Sequence, residues 1–197
     1  DPSDRAIIEM INDHIYNLSH ALRDGNVERS AFESAWLAHA IVDGLTPAHH
    51  YPLEDKLSEL RGGEGLDTRI SAKDKLLLPG VTRRIQIRNN WEYWGAKGVM
   101  TTHLAFELGV ATASAANKFE DSSPTKQEFD GVIKTGFETV FFRILREIDD
   151  LKMYEEFSRS GWTRQIARET KDVLMPQIIK AVTLAWYQAL MASRLPS

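Results

Sequence analysis

Two pairs of residues with the spacing His-x3-carboxylate, His39 with Asp43 and His103 with Glu107, are the positions in this chain best suited to do chemistry. Residues four apart on a helix share a face, so each pair offers an imidazole nitrogen and a carboxylate oxygen to one small volume, where they can grip a cation. Taken singly, each pair reads equally as a hydrogen bond on a helix face. His49 follows Asp43 after Gly44-Leu45-Thr46-Pro47-Ala48, and His14 stands one turn from Ile11 and one from Leu18 on an apolar stripe. A lone inward His is more often a bonded core residue than a ligand. Two such pairs on separate helices, with two further histidines, converge as bundle metal sites do. The chain has no Cys, so a metal must be held by His and carboxylates, and the candidates are His14, His39, Asp43, His49, His103 and Glu107. Nitrogen and oxygen donors without sulfur suit zinc best, with iron or manganese as the alternatives.

These residues need helices to position them, and the chain reads as helices throughout. Ile7, Met10, Ile11, Leu18 and Leu22 recur at helical spacing from Arg5 to Arg23, with Asp24-Gly25-Asn26 as the stop. Ser30 is the expected cap of a second helix through Phe32, Trp36, Leu37 and Ile41 to Gly44. A third spans about Val99 to Asn117, with Val99, Phe106 and Val110 on its face. Thr125 caps a fourth, in which Phe129, Ile133, Phe137, Val140, Phe141, Ile144 and Ile148 give the strongest amphipathic pattern. After a short segment from Leu151 to Arg159, Thr163 to Ser193 is helical on both sides of Pro176, which should break or kink it near Leu174. Gly62, Gly63, Gly65, Pro79 and Gly80 interrupt the stretch in between, so residues 58–97 are expected as a long loop inserted in one helical domain over residues 1–197. No period-2 run appears, and the fold class is all-α.

Composition narrows the functions open to such a chain. With 24 Lys+Arg against 28 Asp+Glu the net charge is −4 at pH 7, and no basic block stands out as a footprint for duplex DNA or an anionic membrane. No apolar run approaches the roughly 20 residues that cross a bilayer. Asp1-Pro2-Ser3-Asp4 has neither the basic nor the apolar region of a signal peptide. Gly-rich phosphate loops, a nucleophile elbow and HExxH are all missing, so nucleotide-fold and protease readings have no support. Trp91, Tyr93 and Trp94 read either as a hydrophobic cap under the long loop or as a cleft wall that stacks a base or meets a choline-like cation. Arg83, Arg84, Arg88 and Lys97 read either as a solvated basic face, the favoured reading, or as a group that meets a phosphate.

The order His39-x3-Asp43-x5-His49, then His103-x3-Glu107, resembles the zinc-ligand signature of the bacterial zinc-dependent phospholipases C and the related fungal single-strand nucleases. The string from Ala38 to His49 is similar to their helix-turn around these ligands, including a Pro two residues before the His. Ile11-Asn12-Asp13-His14-Ile15-Tyr16 resembles their first-helix ligand region. The resemblance implies an all-helical zinc hydrolase of phosphodiester bonds, acting on a small-molecule or lipid substrate through a metal-activated water. Carried over, His49, His103 and Glu107 would hold one zinc, His39 and Asp43 a second, and His14 with Asp43 a third. Asp43, at the bridging position, is the one residue assigned a catalytic part.

The chain also departs from the pattern. The family's further Asp and His, between the first-helix ligand and the His-x3-Asp motif, have no obvious counterpart unless Asp24 or His20 substitutes, His20 being the only His among the 24 residues that separate His14 from His39. The expectation is therefore two zinc ions, three at most. Family analogy implies secretion, and the sequence assigns neither compartment nor oligomeric state. Two other readings stay open, a non-catalytic helical module with a partial structural metal site and a His/carboxylate iron or manganese protein.

Overall fold

The apolar stripes of the first two helices face each other and set the centre of the bundle. The computed structural model, which describes residues 5–64 and 68–195, has α1 at Ala6–Arg23 and α2 at Val27–Leu45. Ile8, Ile11, Ile15 and Leu18 of α1 are buried with Leu37, Ala40 and Ile41 of α2. Asn26, not Ser30, caps α2: its Oδ1 accepts from the Arg29 amide at 3.0 Å, while the Ser30 hydroxyl donates to the Asn26 carbonyl. An Asn one residue before the helix meets the free first-turn amides, which a Ser already inside the helix cannot do.

Residues 58–97 depart from the expected loop. After the 3₁₀ turn Pro47–His50 and α3 (Leu53–Leu60), the segment contains α4 (Ala72–Leu76) and α5 (Arg83–Trp94). Its glycines and prolines fall between these helices instead of inside them, and each helix has its own cap. The Ser71 hydroxyl accepts from the Asp74 amide at 3.1 Å and the Asp74 carboxylate accepts from the Ser71 amide at 3.0 Å. The Thr82 hydroxyl accepts from the Ile85 amide. Polar composition hid α5, since only Asn89 and Tyr93 of its residues are buried. Leu57, Leu60, Leu78 and Tyr93 form a second small core, and Asn89 ties it by donating to the carbonyls of Leu60 and Pro79. Residues 65–67, with the expected loop glycine Gly65, and residues 1–4 lie outside the described residues.

The rest of the bundle is α6 (Val99–Ala115), α7 (Lys126–Thr135), α8 (Phe137–Asp149), α9 (Met153–Ser160), α10 (Arg164–Glu169) and α11 (Met175–Ser193). The long helix expected after Thr125 is two helices, because Gly136 sits at φ +80, where a residue without Cβ is at ease. Pro176 does not break the last helix. A π-helical turn at Thr170–Leu174, closed by the Met175 amide on the Thr170 carbonyl, precedes it, and the proline occupies the first turn of α11 where no amide donor is needed. Phe137, Val140, Phe141, Ile144 and Ile148 of α8 meet Ile178, Ala181, Leu184, Ala185 and Ala189 of α11 in the main core. The described residues contain no strand, and none of their helices is long and apolar enough to cross a membrane.

Candidate metal centre

The site is built where α2 stops. Thr46 precedes Pro47, which disfavours helical backbone there, and Thr46 adopts φ −82, ψ 118. The helix end is closed by the Thr46 amide on the Asp43 carbonyl and the Thr46 hydroxyl on the Val42 carbonyl. Pro47 and Ala48 then go inward, and His49 is turned out beside α6. His50 donates from Nε2 to the Gly44 carbonyl at 3.0 Å, so it braces the corner and leaves the facing volume to His49.

On α6, His103 and Glu107 share a face as their spacing predicts. The helix is fixed by Phe106, fully buried and edge-on to Tyr154, Phe157 and Trp162, and by Gly109, where a Cβ would stand 2.3 Å from the Trp162 ring. Glu107 Oε1 lies 3.1 Å from His103 Nε2 and 3.1 Å from His49 Nε2, and the two imidazole rings stand edge to face with centroids 4.9 Å apart. One donor atom from each of His49, His103 and Glu107 lies within 4.8 Å of the other two. His103 is buried, with a side chain 9% exposed, while His49 and Glu107 are 34% and 38% exposed. Three donors thus converge at a point that solvent can reach.

Asp43 extends this group toward α2. Its Oδ1 lies 4.0 Å from His49 Nε2 and its Oδ2 3.3 Å from His39 Nε2, so its two oxygens face different histidines. Five of the six residues singled out in the sequence therefore form one connected cluster. His14 lies apart from it. Its Nδ1 is 2.5 Å from Glu33 Oε2, and its ring stacks on Trp36, which in turn meets His39 edge-on. Glu33 is fully buried and its other oxygen faces Arg29.

A cavity of about 550 Å³ lies between α6 and α9, with Tyr51, Lys97, Thr101, Thr102, Tyr154 and Arg159 among its lining and none of His39, Asp43, His49, His103 or Glu107. Burial, followed by the neighbouring Tyr51 and the negative charge of Glu107, pushes the Tyr154 hydroxyl up to about 12, so it remains a proton donor at neutral pH. Lys97 is exposed, and Arg159 is held against Glu156 at 3.0 Å.

The donor set fits zinc. Two imidazoles and a carboxylate without sulfur match its usual ligands; the two 3.1 Å separations from Glu107 Oε1 are hydrogen bonds to the imidazoles in this structure, and the three donor atoms lie within 4.8 Å of one another. His103 Nδ1 is buried without a hydrogen-bond partner; it is not the nitrogen that faces Glu107, so a metal on Nε2 would leave it unmet, without the acceptor that usually orients a ligating imidazole.

Glu33, Tyr51 and Tyr154 escaped the sequence reading. Glu33 had a signal, since it lies in phase with Leu37, Ala40 and Ile41 on the buried stripe of α2, where a carboxylate needs a partner. Tyr51 and Tyr154 had none, because their meeting depends on how α9 returns across the corner. Comparison of the chain with protein-family models, with curated proteins and with solved structures finds no match.

Proposed function

We propose that the chain is a zinc-dependent hydrolase of phosphodiester bonds, with zinc held by His49, His103 and Glu107. The carrying observation is the convergence of three protein donors, one of them buried, at a solvent-accessible point. Catalytic zinc sites keep three protein ligands and an open position, whereas structural ones are closed by four. A zinc ion there supplies Lewis acidity toward a phosphoryl oxygen and a water acidified toward neutrality. Asp43 carries its negative charge between the first group and His39, which favours a second, weaker zinc position with two protein donors. Exposed Lys97, in the wall of the cavity beside α6, favours an anionic substrate there.

The test is hydrolysis of bis(p-nitrophenyl) phosphate by zinc-loaded protein, by the chelated and reloaded protein, and by Glu107→Gln. Activity that falls on chelation, returns with zinc and is absent from Glu107→Gln supports the reading. Zinc retention with no hydrolysis of this or other diesters would reduce it to a structural metal site.

A further inference from the structure

Between Arg69 and Lys97 the sequence carries seven Lys and Arg against two acids, in a chain whose overall balance is −4. They are too dispersed to read as a basic block, yet the fold gathers them on one excursion of the chain. Lys73, Lys75, Arg83, Arg84, Arg88 and Lys97 are exposed, and among the described residues none of them forms an ion pair. Both acids are already engaged, Asp74 in the Ser71 cap and Glu92 with Lys56 at 2.8 Å.

The same segment exposes large apolar side chains. Val81 is 97% exposed, Trp91 72%, Ile87 62% and Leu76 57%, with Leu77 and Trp94 also open to solvent. Ile87, Trp91 and Trp94 lie at i, i+4 and i+7, so they share one face of α5, which Arg84 and Arg88 flank. Tyr93 anchors the opposite side in the second core, and the α5 face borders an open groove of about 430 Å³ with Leu77 on its far wall. The aromatic cluster does not line the 550 Å³ cavity: Tyr93 packs in the second core under this segment, Trp94 donates to the Leu76 carbonyl, and Trp91 faces water.

We propose that this face, formed by α5 with Leu76, Leu77 and Val81, docks on an anionic lipid bilayer. Tryptophan with Ile, Leu and Val at the tip, and long cationic side chains around them, match the layering of acyl chains, headgroup boundary and lipid phosphates. Unpaired, flexible cations suit a laterally fluid field of phosphates, which needs no fixed pairing geometry. A second copy of this chain is a poor occupant, because a two-fold contact would set this positive face against itself. The inference does not depend on the metal centre.

The experiment is co-sedimentation of the full chain with vesicles of phosphatidylcholine alone and of phosphatidylcholine mixed with phosphatidylglycerol. Partition onto the mixed vesicles is expected to be at least about tenfold stronger and to weaken steeply with salt. Ile87→Ser/Trp91→Ser and Arg84→Gln/Arg88→Gln should each lose about tenfold, with melting temperatures unchanged because all four side chains are exposed. Equal partition onto both vesicle types, or none, overturns the proposal. So does concentration-dependent self-association that Ile87→Ser/Trp91→Ser abolishes, or capture of an acidic protein partner by a chain that ignores vesicles.

Discussion

Removing the His14 ring tests the hydrogen-bonded His14–Glu33 pair inside the bundle. Glu33 has no exposed side-chain surface; Oε2 is 2.5 Å from His14 Nδ1, and Oε1 faces Arg29, whose own side chain is 54% exposed. His14→Ala leaves the carboxylate among apolar neighbours with one loosely held guanidinium. Breaking a buried pair from one side costs about 3–5 kcal/mol, and an unmet buried acceptor by itself about 1–3. Because Arg29 remains, the expected loss is about 3 kcal/mol, which for a domain of this length is a fall of about 6–12 °C in Tm. Replacing both members, His14→Phe with Glu33→Leu, removes the charge along with its partner and should come within about 1 kcal/mol of the parent protein. Urea unfolding followed by circular dichroism on the parent, both single variants and the double variant closes the cycle. A loss below about 1 kcal/mol for His14→Ala, or a double variant that loses as much as the two singles together, would refute the reasoning.

Three further outcomes follow from the geometry. Burial pushes the Glu128 carboxyl up, but hydrogen bonds from Lys180 and from the amide and hydroxyl of Thr125 outweigh it and hold it down at about 2, against an ordinary 4.5. This depressed carboxylate stabilises the fold fully above its ordinary value and loses that contribution as pH falls toward 2, so Glu128→Gln should cost roughly 2 kcal/mol at pH 7 and nothing at the acid limit in urea titrations. Asp43→Asn should lose the weaker zinc and the hydrolytic activity while the zinc at His49, His103 and Glu107 stays, as read by metal analysis after dialysis; full zinc content would contradict the bridging assignment. Gly136→Ala should destabilise by about 1–3 kcal/mol through backbone conformation alone, since nothing beyond its chain neighbours lies within 4 Å of the added methyl; an unchanged Tm would show that the α7–α8 junction relaxes.

The helices that position the cluster were legible because their patterns are local. α1, α2 and α8 each follow an apolar stripe written in consecutive residues, whereas α6 has no side-chain cap and buries only His103 and Phe106; the His-x3-carboxylate pairs needed only helical spacing to share a face. Convergence of His49 on His103 and Glu107 was legible only as a likeness of motif, because it depends on the packing of α6 beside the Pro47–His50 turn. The segment holding α4 and α5 was not legible as helix. Its packing rests on four buried side chains and an asparagine that bonds across two loops, which no hydrophobic period reveals. The Glu33 partner of His14 lay in plain sight on the α2 stripe, as the one carboxylate in phase with its buried residues.

The central claim, that His49, His103 and Glu107 hold a divalent cation, is tested most directly by zinc titration calorimetry of the metal-free chain beside His103→Ala, with Tm read in parallel. The account predicts a tight site in the parent protein that His103→Ala lacks. At a free zinc concentration about 100-fold above Kd it also predicts about 2.7 kcal/mol of added stability, a rise of about 5–11 °C that the variant does not share. Zinc binding of equal affinity in both proteins, or none in the parent, would contradict it.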